Sequence, residues 1–448
     1  MNENPKHYGH SAPAARGEIA LDERLAYRLV EDTTVLVDTT GRRLLRLNAG
    51  GGRVLERIDR GEALESPADL AFARRLVELG LAREADRGRK ESRSAASSSD
   101  PGGDALLDRL NRWASRRLVP LHAQMEITHR CGLRCRHCYL EGLERSGARE
   151  LSLDERVGFL DELAGLGGLF LLITGGEPFV HPELGALFDA ARERRFAVSL
   201  LTSGDAFDPG LASHMAARGL DAVQISIYGA RAETHDALTR VAGSFERALE
   251  ALRAFRELGV RTRAGLTVTS ENAGELDEML DLVGREGGGA VPNLYIEPRR
   301  DGSRVSQSLA ADEETVRETL ARLALGDEPR MRGLGPDDPP CGAGRNSLAV
   351  DPYGEITPCL SLRYPVGSIR GSSLGGIWRD SPRLAELRQI RLRDLEACPE
   401  CEHRSFCDRC AGFAAAEGRP LTGHAEFDCL QARLRSELAR GAERDRFS

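Results

Sequence analysis

The sequence feature that most constrains this chain is a group of closely spaced cysteines within residues 126–140, EITHRCGLRCRHCYL. The group has the pattern C-x3-C-x2-C and consists of Cys131, Cys135 and Cys138. It follows a short segment, residues 124–128, that predicts a β-strand. A structural zinc site needs four protein ligands, whereas a cubane iron–sulfur cluster held by three cysteines keeps one iron open. The triplet therefore favours an iron–sulfur cluster, and a zinc knuckle completed by His129 or His137 is the alternative.

Apolar segments alternate with helical patterns from residue 124 to residue 297. The predicted strands are residues 124–128, 169–174, 197–202, 222–227, 261–269 and 293–297. The predicted helices are residues 152–166, 182–194, 209–218, 233–238, 245–258 and 275–285, and the first of them opens with a capping box. This alternation predicts an α/β fold with a parallel sheet and right-handed crossovers. Active sites on such sheets lie at the C-terminal ends of the strands.

A second motif, Gly175-Gly176-Glu177-Pro178, follows the second predicted strand. Glycines at this place are compatible with a simple tight turn. Together, however, the cysteine triplet, the GGEP motif and the six β/α units resemble the radical S-adenosylmethionine (SAM) enzymes. The resemblance implies a partial (β/α)6 barrel over residues 105–325. It also implies a [4Fe–4S] cluster on the triplet, with SAM bound at the open iron.

The same resemblance implies further contacts to SAM. The GGEP motif would bind the methionine amino group, with Glu177 offering its carboxylate, and His137 would lie beside the adenine. Other candidates lie on or at the ends of the third to fifth predicted strands, namely Thr202, Ser203, Ser226 and Thr267, with Asn272 just beyond. One electron from the cluster would split SAM into methionine and a 5′-deoxyadenosyl radical, which abstracts hydrogen from the substrate.

Seven more cysteines follow residue 326, namely Cys341, Cys359, Cys398, Cys401, Cys407, Cys410 and Cys429. Paired C-x2-C units are typical of a zinc ribbon, but seven cysteines exceed one zinc site. The array resembles the SPASM extension of radical SAM enzymes, here residues 326–440, which carries two auxiliary iron–sulfur clusters. The resemblance implies two ligand groups, Cys341, Cys359 and Cys410 for the first cluster, and Cys398, Cys401, Cys407 and Cys429 for the second. The fullest family pattern has eight cysteines, so the first cluster would have an open iron, another ligand or fewer irons.

Residues 20–86 predict a smaller, winged-helix-like α+β domain. Three short segments rich in apolar residues (27–30, 34–37 and 44–47, with a turn at 39–42) precede two helices that Asn48 and Ser66 would cap. The order resembles the peptide-recognition domain of ribosomal-peptide maturation systems, such as the chaperone in pyrroloquinoline quinone biosynthesis. The matching features are Leu47-Asn48, Ile58 with Gly61, and Leu79-Gly80-Leu81. A DNA-binding winged helix is the alternative, but acidic and basic residues nearly balance here.

The remaining segments carry no motif. Residues 87–104 are rich in Ser, Gly and Arg and predict a flexible linker, while residues 1–18 predict disorder and residues 440–448 a frayed tail. No segment predicts a secretory signal or a membrane span, and ten cysteines without such a signal indicate metal sites in a reducing cytoplasm. The net charge of −8 gives no attraction to nucleic acid or to anionic membranes.

These expectations combine into one hypothesis, a radical SAM maturase of a ribosomally synthesised precursor peptide. The N-terminal domain would bind the leader by β-augmentation, the flexible linker would keep the core peptide close, and a donor such as flavodoxin or ferredoxin would supply electrons. Auxiliary clusters permit a net oxidation, which favours a thioether or carbon–carbon cross-link over epimerisation. The alternatives are an anaerobic sulfatase (formylglycine) maturase and a non-enzymatic iron–sulfur or zinc DNA-binding regulator. Glu297, Arg299 and Asp301 could face substrate, although a solvated loop is the simpler interpretation.

Overall fold

The computed structural model describes residues 19–30, 33–38, 43–64, 66–84, 101–140, 148–323 and 334–446. Three of the predictions concern residues outside these ranges, namely the disorder of residues 1–18, the turn at 39–42 and residues 87–100 of the linker. The last four residues of the predicted linker are described, and they correct its boundary. A helix begins at Pro101, so the linker does not extend to residue 104.

Residues 19–84, called here the N-terminal segment, contain a three-stranded antiparallel sheet with two helices. Its elements are β1 (Ile19–Leu21), β2 (Leu25–Val30), β3 (Thr33–Asp38), β4 (Arg43–Asn48), α1 (Ala49–Asp59), α2 (Pro67–Glu78) and β5 (Ala82–Glu84). Strands β2, β3 and β4 pair in that order, and β1 pairs with β5. Both predicted caps are present, because Asn48 accepts the N–H of Gly51 and Ser66 accepts the N–H of Ala68.

Six parallel strands and their helices follow, as the alternation predicts. The elements are α3 (Pro101–Arg117), β6 (His122–Glu126), α4 (Leu153–Gly165), β7 (Phe170–Thr174), α5 (Leu184–Glu193), β8 (Ala197–Thr202), α6 (Pro209–Ala217), β9 (Ala222–Ile227), α7 (Ala232–Thr239), α8 (Ser244–Glu257), β10 (Arg261–Thr267), α9 (Leu276–Arg285) and β11 (Gly289–Asn293). The predicted capping box opens α4, where Ser152 and Glu155 bond each other's backbone N–H groups. Helices and strands enclose one continuous apolar core.

The sixth strand is displaced from its predicted position. Residues 293–297 were expected to form it, but β11 ends at Asn293 and pairs in parallel with β10 from Gly289 onwards. Leu294, Tyr295 and Ile296 are buried outside the strand. Their apolar character therefore reflects packing, with Leu294 against α9, α10 and the last helix, and not strand pairing.

The C-terminal region extends the same sheet. Its elements are α10 (Glu313–Arg322), β12 (Ser347–Val350), β13 (Glu355–Thr357), β14 (Gly367–Ser368), α11 (Leu374–Asp380), α12 (Pro382–Gln389), α13 (Ala411–Ala416) and α14 (Glu426–Arg446). Strand β12 pairs in parallel with β6, and β13 and β14 follow antiparallel, so the sheet has nine strands. Helix α14 continues to Arg446, which corrects the expectation of a frayed tail from residue 440.

The N-terminal segment packs against the barrel at the ends where its parallel strands begin. One face of the β2–β4 sheet, including Ala26 and Val35, shares an apolar core with α3 and with the residues that precede or open β6, β7 and β8. The buried Arg28 donates to the carbonyl oxygens of Gly168 and Arg194 at 2.6 and 2.9 Å. The segment is therefore docked on the barrel, whereas the predicted flexible linker alone would not have fixed its position.

No helix among the described residues combines the length and the apolar character that a membrane span requires.

Candidate active site

The three cysteines of the triplet lie on a loop of residues 127–140, called here the cluster loop, at the C-terminal end of β6. Burial, followed by the charges of Cys138 and Cys131, raises the pKa of Cys135 well above its ordinary value. Burial and the neighbouring Glu177 raise the pKa of Cys131 to about 12. The thiols therefore act on one another's ionisation, and Glu177 of the GGEP motif acts on that of Cys131.

The two glycines of the GGEP motif allow the cluster loop to pack directly onto the end of β7. The N–H of Gly176 donates to Thr128 O at 2.8 Å, and the N–H of Glu177 donates to Arg130 O at 2.9 Å. A Cβ on Gly175 would lie 2.3 Å from Thr128 O, and a Cβ on Gly176 would lie 2.3 Å from Arg130 O. Gly175 also has a φ of +139°, which L side chains rarely adopt. Neither position therefore accommodates a side chain without moving the loop.

Glu177 is fully buried and joins two other predicted residues in one hydrogen-bonded group. Its carboxylate accepts from Thr202 Oγ1 at 2.7 Å, from the N–H of Ser203 at 2.8 Å and from Ser203 Oγ at 2.5 Å. It also caps the short 3-10 helix that begins at Pro178, by accepting from the N–H of Phe179. The end of β8 thus fixes a carboxylate beside the cluster loop.

His137 and Ser226 meet around an aromatic residue that the sequence did not single out, Tyr228. The ring of His137 lies edge-on to that of Tyr228, with centroids 4.5 Å apart, and the Tyr228 hydroxyl is bonded to Ser226. Burial and the nearby His235 lower the pKa of His137 to about 4, so the imidazole is neutral at pH 7. His137 Nδ1 is buried without a hydrogen-bond partner in the protein. The side chains of His137, Tyr228 and Ser226 together form a partly polar, partly aromatic surface next to the cysteines.

Thr267 and Asn272 lie at the end of β10, one strand further along. Asn272 is buried, and its amide donates to the carbonyl oxygens of Tyr228 and Thr267 at 2.8 Å each. Its Oδ1 accepts the N–H of Thr269 at 2.7 Å. Asn272 therefore ties the ends of β9 and β10 together, and its amide hydrogens are already engaged.

A buried ionic group beside the cluster loop was not predicted. Glu126, the last residue of β6, accepts from Arg300 Nη2 at 2.5 Å and lies 3.3 Å from His129 Nε2. Burial alone would raise the pKa of Glu126, but the contacts with His129 and Arg300 lower it to about 2. His129 Nε2 is also 3.1 Å from Arg300 Nη1, so this nitrogen is engaged away from the cysteines. The zinc knuckle gains no support from His129.

Glu297 is not in a solvated loop. Its carboxylate accepts from Arg363 Nη2 of the C-terminal region at 2.7 Å, and burial raises its pKa. Arg299 and Asp301 are the other two residues predicted to face substrate. Arg300, which lies between them in the sequence, forms an ion pair with the buried carboxylate of Glu126. Nothing in the local pattern distinguishes these arginines from surface charges, which is why the sequence missed them.

The C-terminal cysteines act on one another's ionisation, and their division into two ligand groups stays a prediction. Burial and then Cys341 raise the pKa of Cys359 to about 12, and Cys410 contributes to the same shift. Burial, Cys398 and Cys401 raise the pKa of Cys429 to about 11. Cys401 and Cys429 are exposed, whereas Cys341, Cys359 and Cys410 are partly buried. The described residues contain no group of three His, Cys, Asp or Glu side chains placed to hold a single metal ion.

One carboxylate lies next to a cysteine of each predicted group. Asp428 is 5% exposed and accepts the N–H of Cys410 at 2.7 Å, while Cys429 follows it directly in α14. Burial raises the pKa of Asp428 to about 7. The residue has no sequence signal beyond its position before a cysteine.

Comparison with known proteins places this site in a family. The Radical SAM superfamily model matches residues 125–283, and the SPASM iron-sulfur cluster-binding domain matches residues 341–403. The mycofactocin maturase MftC of Mycobacterium ulcerans is 31% identical over 339 residues, which cover 70% of this chain and 88% of that protein. The chain belongs to the radical SAM superfamily. It is therefore an enzyme with SAM and iron–sulfur clusters as cofactors, and it carries a SPASM domain.

Other relatives and structures agree with this assignment. The PqqA peptide cyclase of Granulibacter bethesdensis is 28% identical over 330 residues, covering 68% of this chain and 86% of that protein. The crystal structure of Streptococcus suis SuiB bound to its precursor peptide SuiA has a TM-score of 0.61 at 15% identity, and it covers 92% of this chain and 99% of that one. At this identity the likeness shows the fold, namely the partial barrel with its C-terminal extension.

The residues of the cluster loop fit a radical SAM cluster. The N–H of Leu133 donates to Cys131 Sγ at 3.4 Å and the N–H of Leu140 donates to Cys138 Sγ at 3.3 Å, and such bonds tune the reduction potential of iron–sulfur clusters. The raised thiol pKa values describe the protein without iron, since a bound cluster holds its ligands as thiolates. When bound, the cluster and SAM supply a 5′-deoxyadenosyl radical. The protein's own part is to hold the thiols, fix Glu177 and exclude water.

Proposed function

We propose that this radical SAM enzyme modifies a ribosomally synthesised precursor peptide, by hydrogen abstraction that leads to a thioether or carbon–carbon cross-link. The observation that carries the proposal is the SPASM cysteine array, which follows the barrel in the chain. The relatives of this chain include a mycofactocin maturase and a peptide cyclase. Two auxiliary clusters give the substrate radical a route to lose its second electron, which a cross-link requires. Epimerisation needs no net oxidation and would leave them without a role.

The core peptide would bind between the cluster loop and the C-terminal region. A cavity of about 200 Å³ lies there, lined by Glu126, Arg300, Val350, Leu360 and Arg363 among others. Leu360 follows Cys359, a proposed ligand of the first auxiliary cluster, and its N–H donates to Gln124 of β6. A substrate in this cavity would lie between the source of the radical and an electron acceptor.

The N-terminal segment would bind the leader at the edge of β4. Both faces of the three-stranded sheet are covered, one by α1 and α2 and the other by α3 and the barrel. Its β2 edge meets the barrel, since Arg192 and Arg195 donate to Leu25 O. Among the described residues, the β4 edge of this sheet is the one left for an added strand. The likeness to SuiB supports this in part, because a likeness covering 92% of the chain must extend into residues 19–84.

An external donor such as flavodoxin or ferredoxin would exchange electrons near the second auxiliary cluster. Cys401 and Cys429, two of its proposed ligands, are exposed. The formylglycine maturase remains the second candidate, because it would also use a radical SAM barrel with a SPASM domain. That function gives no role to the N-terminal segment. The non-enzymatic regulator is excluded, since the chain is an enzyme.

Co-expression tests the proposal. The enzyme is expressed with each short open reading frame that neighbours its gene, and the peptides are analysed by mass spectrometry. We expect one peptide to lose two hydrogen atoms for each cross-link. Arg46→Pro on β4 should prevent the modification, and Arg46→Ala should not, because only Pro removes the backbone N–H. A sulfatase-type peptide modified in place of these peptides would contradict the proposal.

A further inference from the structure

Tyr139, the residue directly after Cys138, contacts one carboxylate through its hydroxyl and two guanidinium groups through its ring. Its hydroxyl donates to Glu126 Oε1 at 2.9 Å. The guanidinium carbon of Arg300 lies 5.4 Å from the centre of its ring, and that of Arg363 lies 5.1 Å from it. The ring is therefore in contact with one cation from the loop after β11 and another from the C-terminal region. Nothing in the assigned roles of SAM or of the clusters uses this side chain.

The backbone of Tyr139 is fixed as firmly as its side chain. The Tyr139 carbonyl oxygen accepts the N–H of Arg300 at 3.0 Å. The N–H of Leu140 donates to Cys138 Sγ at 3.3 Å. This carbonyl and this N–H belong to one planar peptide group, so holding the oxygen fixes the direction of the N–H. The orientation of a hydrogen bond to a cluster ligand thus depends on where Tyr139 is anchored.

We propose that Tyr139 is a positioning residue, which orients the Tyr139–Leu140 peptide group towards Cys138 Sγ and so sets the reduction potential of the SAM-binding cluster. A hydrogen bond to a ligating sulfur withdraws electron density from it, which stabilises the reduced, more negative cluster and raises its potential. Anchoring by Glu126 maintains that bond. Glu126 suits the task because it is 2% exposed and keeps Arg300 and His129 as fixed partners.

The test is Tyr139→Phe, which keeps the ring between the two guanidinium groups and removes only the bond to Glu126. A matched control is Tyr364→Phe. Tyr364 also donates to a glutamate, Glu386, at 2.6 Å and lies under an arginine, but that pair is exposed and Tyr364 packs beside Cys341 and Cys359 of the C-terminal region. Reconstituted holoenzymes are titrated with dithionite while the reduced cluster is followed by electron paramagnetic resonance. The signal that changes on addition of SAM identifies the SAM-binding cluster.

We expect Tyr139→Phe to lower the midpoint potential of that signal and Tyr364→Phe to leave it unchanged. Glu126→Gln gives a second, opposite expectation. If the amide oxygen is turned to Tyr139, that bond is kept while the amide N–H2 faces Arg300, and loss of a negative charge near the cluster raises its potential. A wild-type potential in Tyr139→Phe would overturn the proposal. A shift of the same sign in Tyr139→Phe and Glu126→Gln would also overturn it.

Iron analysis covers the case in which Tyr139→Phe binds its cluster poorly. Loss of the SAM-responsive signal with both auxiliary clusters retained supports a positioning role, because the effect is then confined to the cluster loop. Loss of all three clusters together overturns it, since that result indicates general misfolding. Both readouts are independent of substrate turnover.

Discussion

Replacing Gly176 with Ala should separate the cluster loop from the end of β7. The backbone of Gly176 has no positive φ, so the effect comes from space alone. The new Cβ would lie 2.3 Å from Arg130 O and 2.7 Å from His129 O, both of which are backbone atoms. Ordinary contact requires a shift of about 1 Å in the loop. That shift also weakens the N–H bonds from Gly176 and Glu177 to the loop.

The magnitude follows from these losses. Overpacking costs about 1 to 3 kcal/mol, and each of the two weakened backbone bonds contributes about 1 kcal/mol, so the local cost is about 3 to 5 kcal/mol. Much of it falls on the loop that carries the cysteines, because the displaced backbone atoms, those of His129 and Arg130, belong to that loop. We therefore expect Gly176→Ala to lose most of the SAM-cluster iron and of the 5′-deoxyadenosine formed with dithionite, with a smaller change in the unfolding temperature.

The matched control is Gly158→Ala in α4. A Cβ there meets nothing within 4 Å, and Ala is favoured over Gly in a helix by about 1 kcal/mol. This variant should retain full iron and unfold at the same temperature as the wild type or higher. If Gly176→Ala kept wild-type iron content and SAM cleavage, the close approach of loop and GGEP turn would not be needed to hold the cluster.

Three further predictions follow from the site and its support. Glu177→Gln places an amide N–H2 against the donors of Thr202 and Ser203, at a cost of about 1 to 3 kcal/mol. The variant should lose the spectral change that SAM addition causes in the wild type. An unchanged response to SAM would contradict the role of Glu177. Replacing the three cluster-loop cysteines with Ala should abolish SAM cleavage but leave the auxiliary-cluster iron and leader binding intact, and retained cleavage would refute the ligand assignment. Arg28→Met leaves two carbonyl oxygens unpaired and should destabilise the docked N-terminal segment by about 2 to 4 kcal/mol, seen as faster proteolysis at residues 19–84, with exposed Arg46→Met as the control.

The sequence predicted what local patterns determine. Capping side chains, strand periodicity and motif spacing fixed most elements of the barrel and brought Glu177, Thr202 and Ser203 to one place. Prediction from the sequence failed where pairing between distant segments determines which residues form a strand. Residues 289–293, GAVPN, contain Gly and Pro and are poor strand formers, yet they pair because β10 lies beside them. The apolar residues 294–296 look more like a strand but are buried by other elements.

Buried arginines were the second source of error. From the sequence, Arg28 and Arg192 would be expected at the surface. Both are buried, and they donate to backbone carbonyl oxygens across the boundary between the N-terminal segment and the barrel. Burial of arginine in this way depends on carbonyl groups at the ends of distant elements, which no local pattern shows. The docking they stabilise could therefore be found only in the structure.

Docking at the start of the strands has a consequence for the proposed substrate. The leader-binding edge would lie near the N-terminal ends of the barrel strands, while the cysteine triplet lies at their C-terminal ends. Strands of five to seven residues separate the two by about 17 to 23 Å. At about 3.3 Å for each extended residue, at least about six precursor residues must lie between leader and modified site. Deleting spacer residues from the precursor below this length should stop the modification while leader affinity, measured by fluorescence anisotropy, stays constant. Modification of a shorter precursor would show that the segment undocks during the reaction.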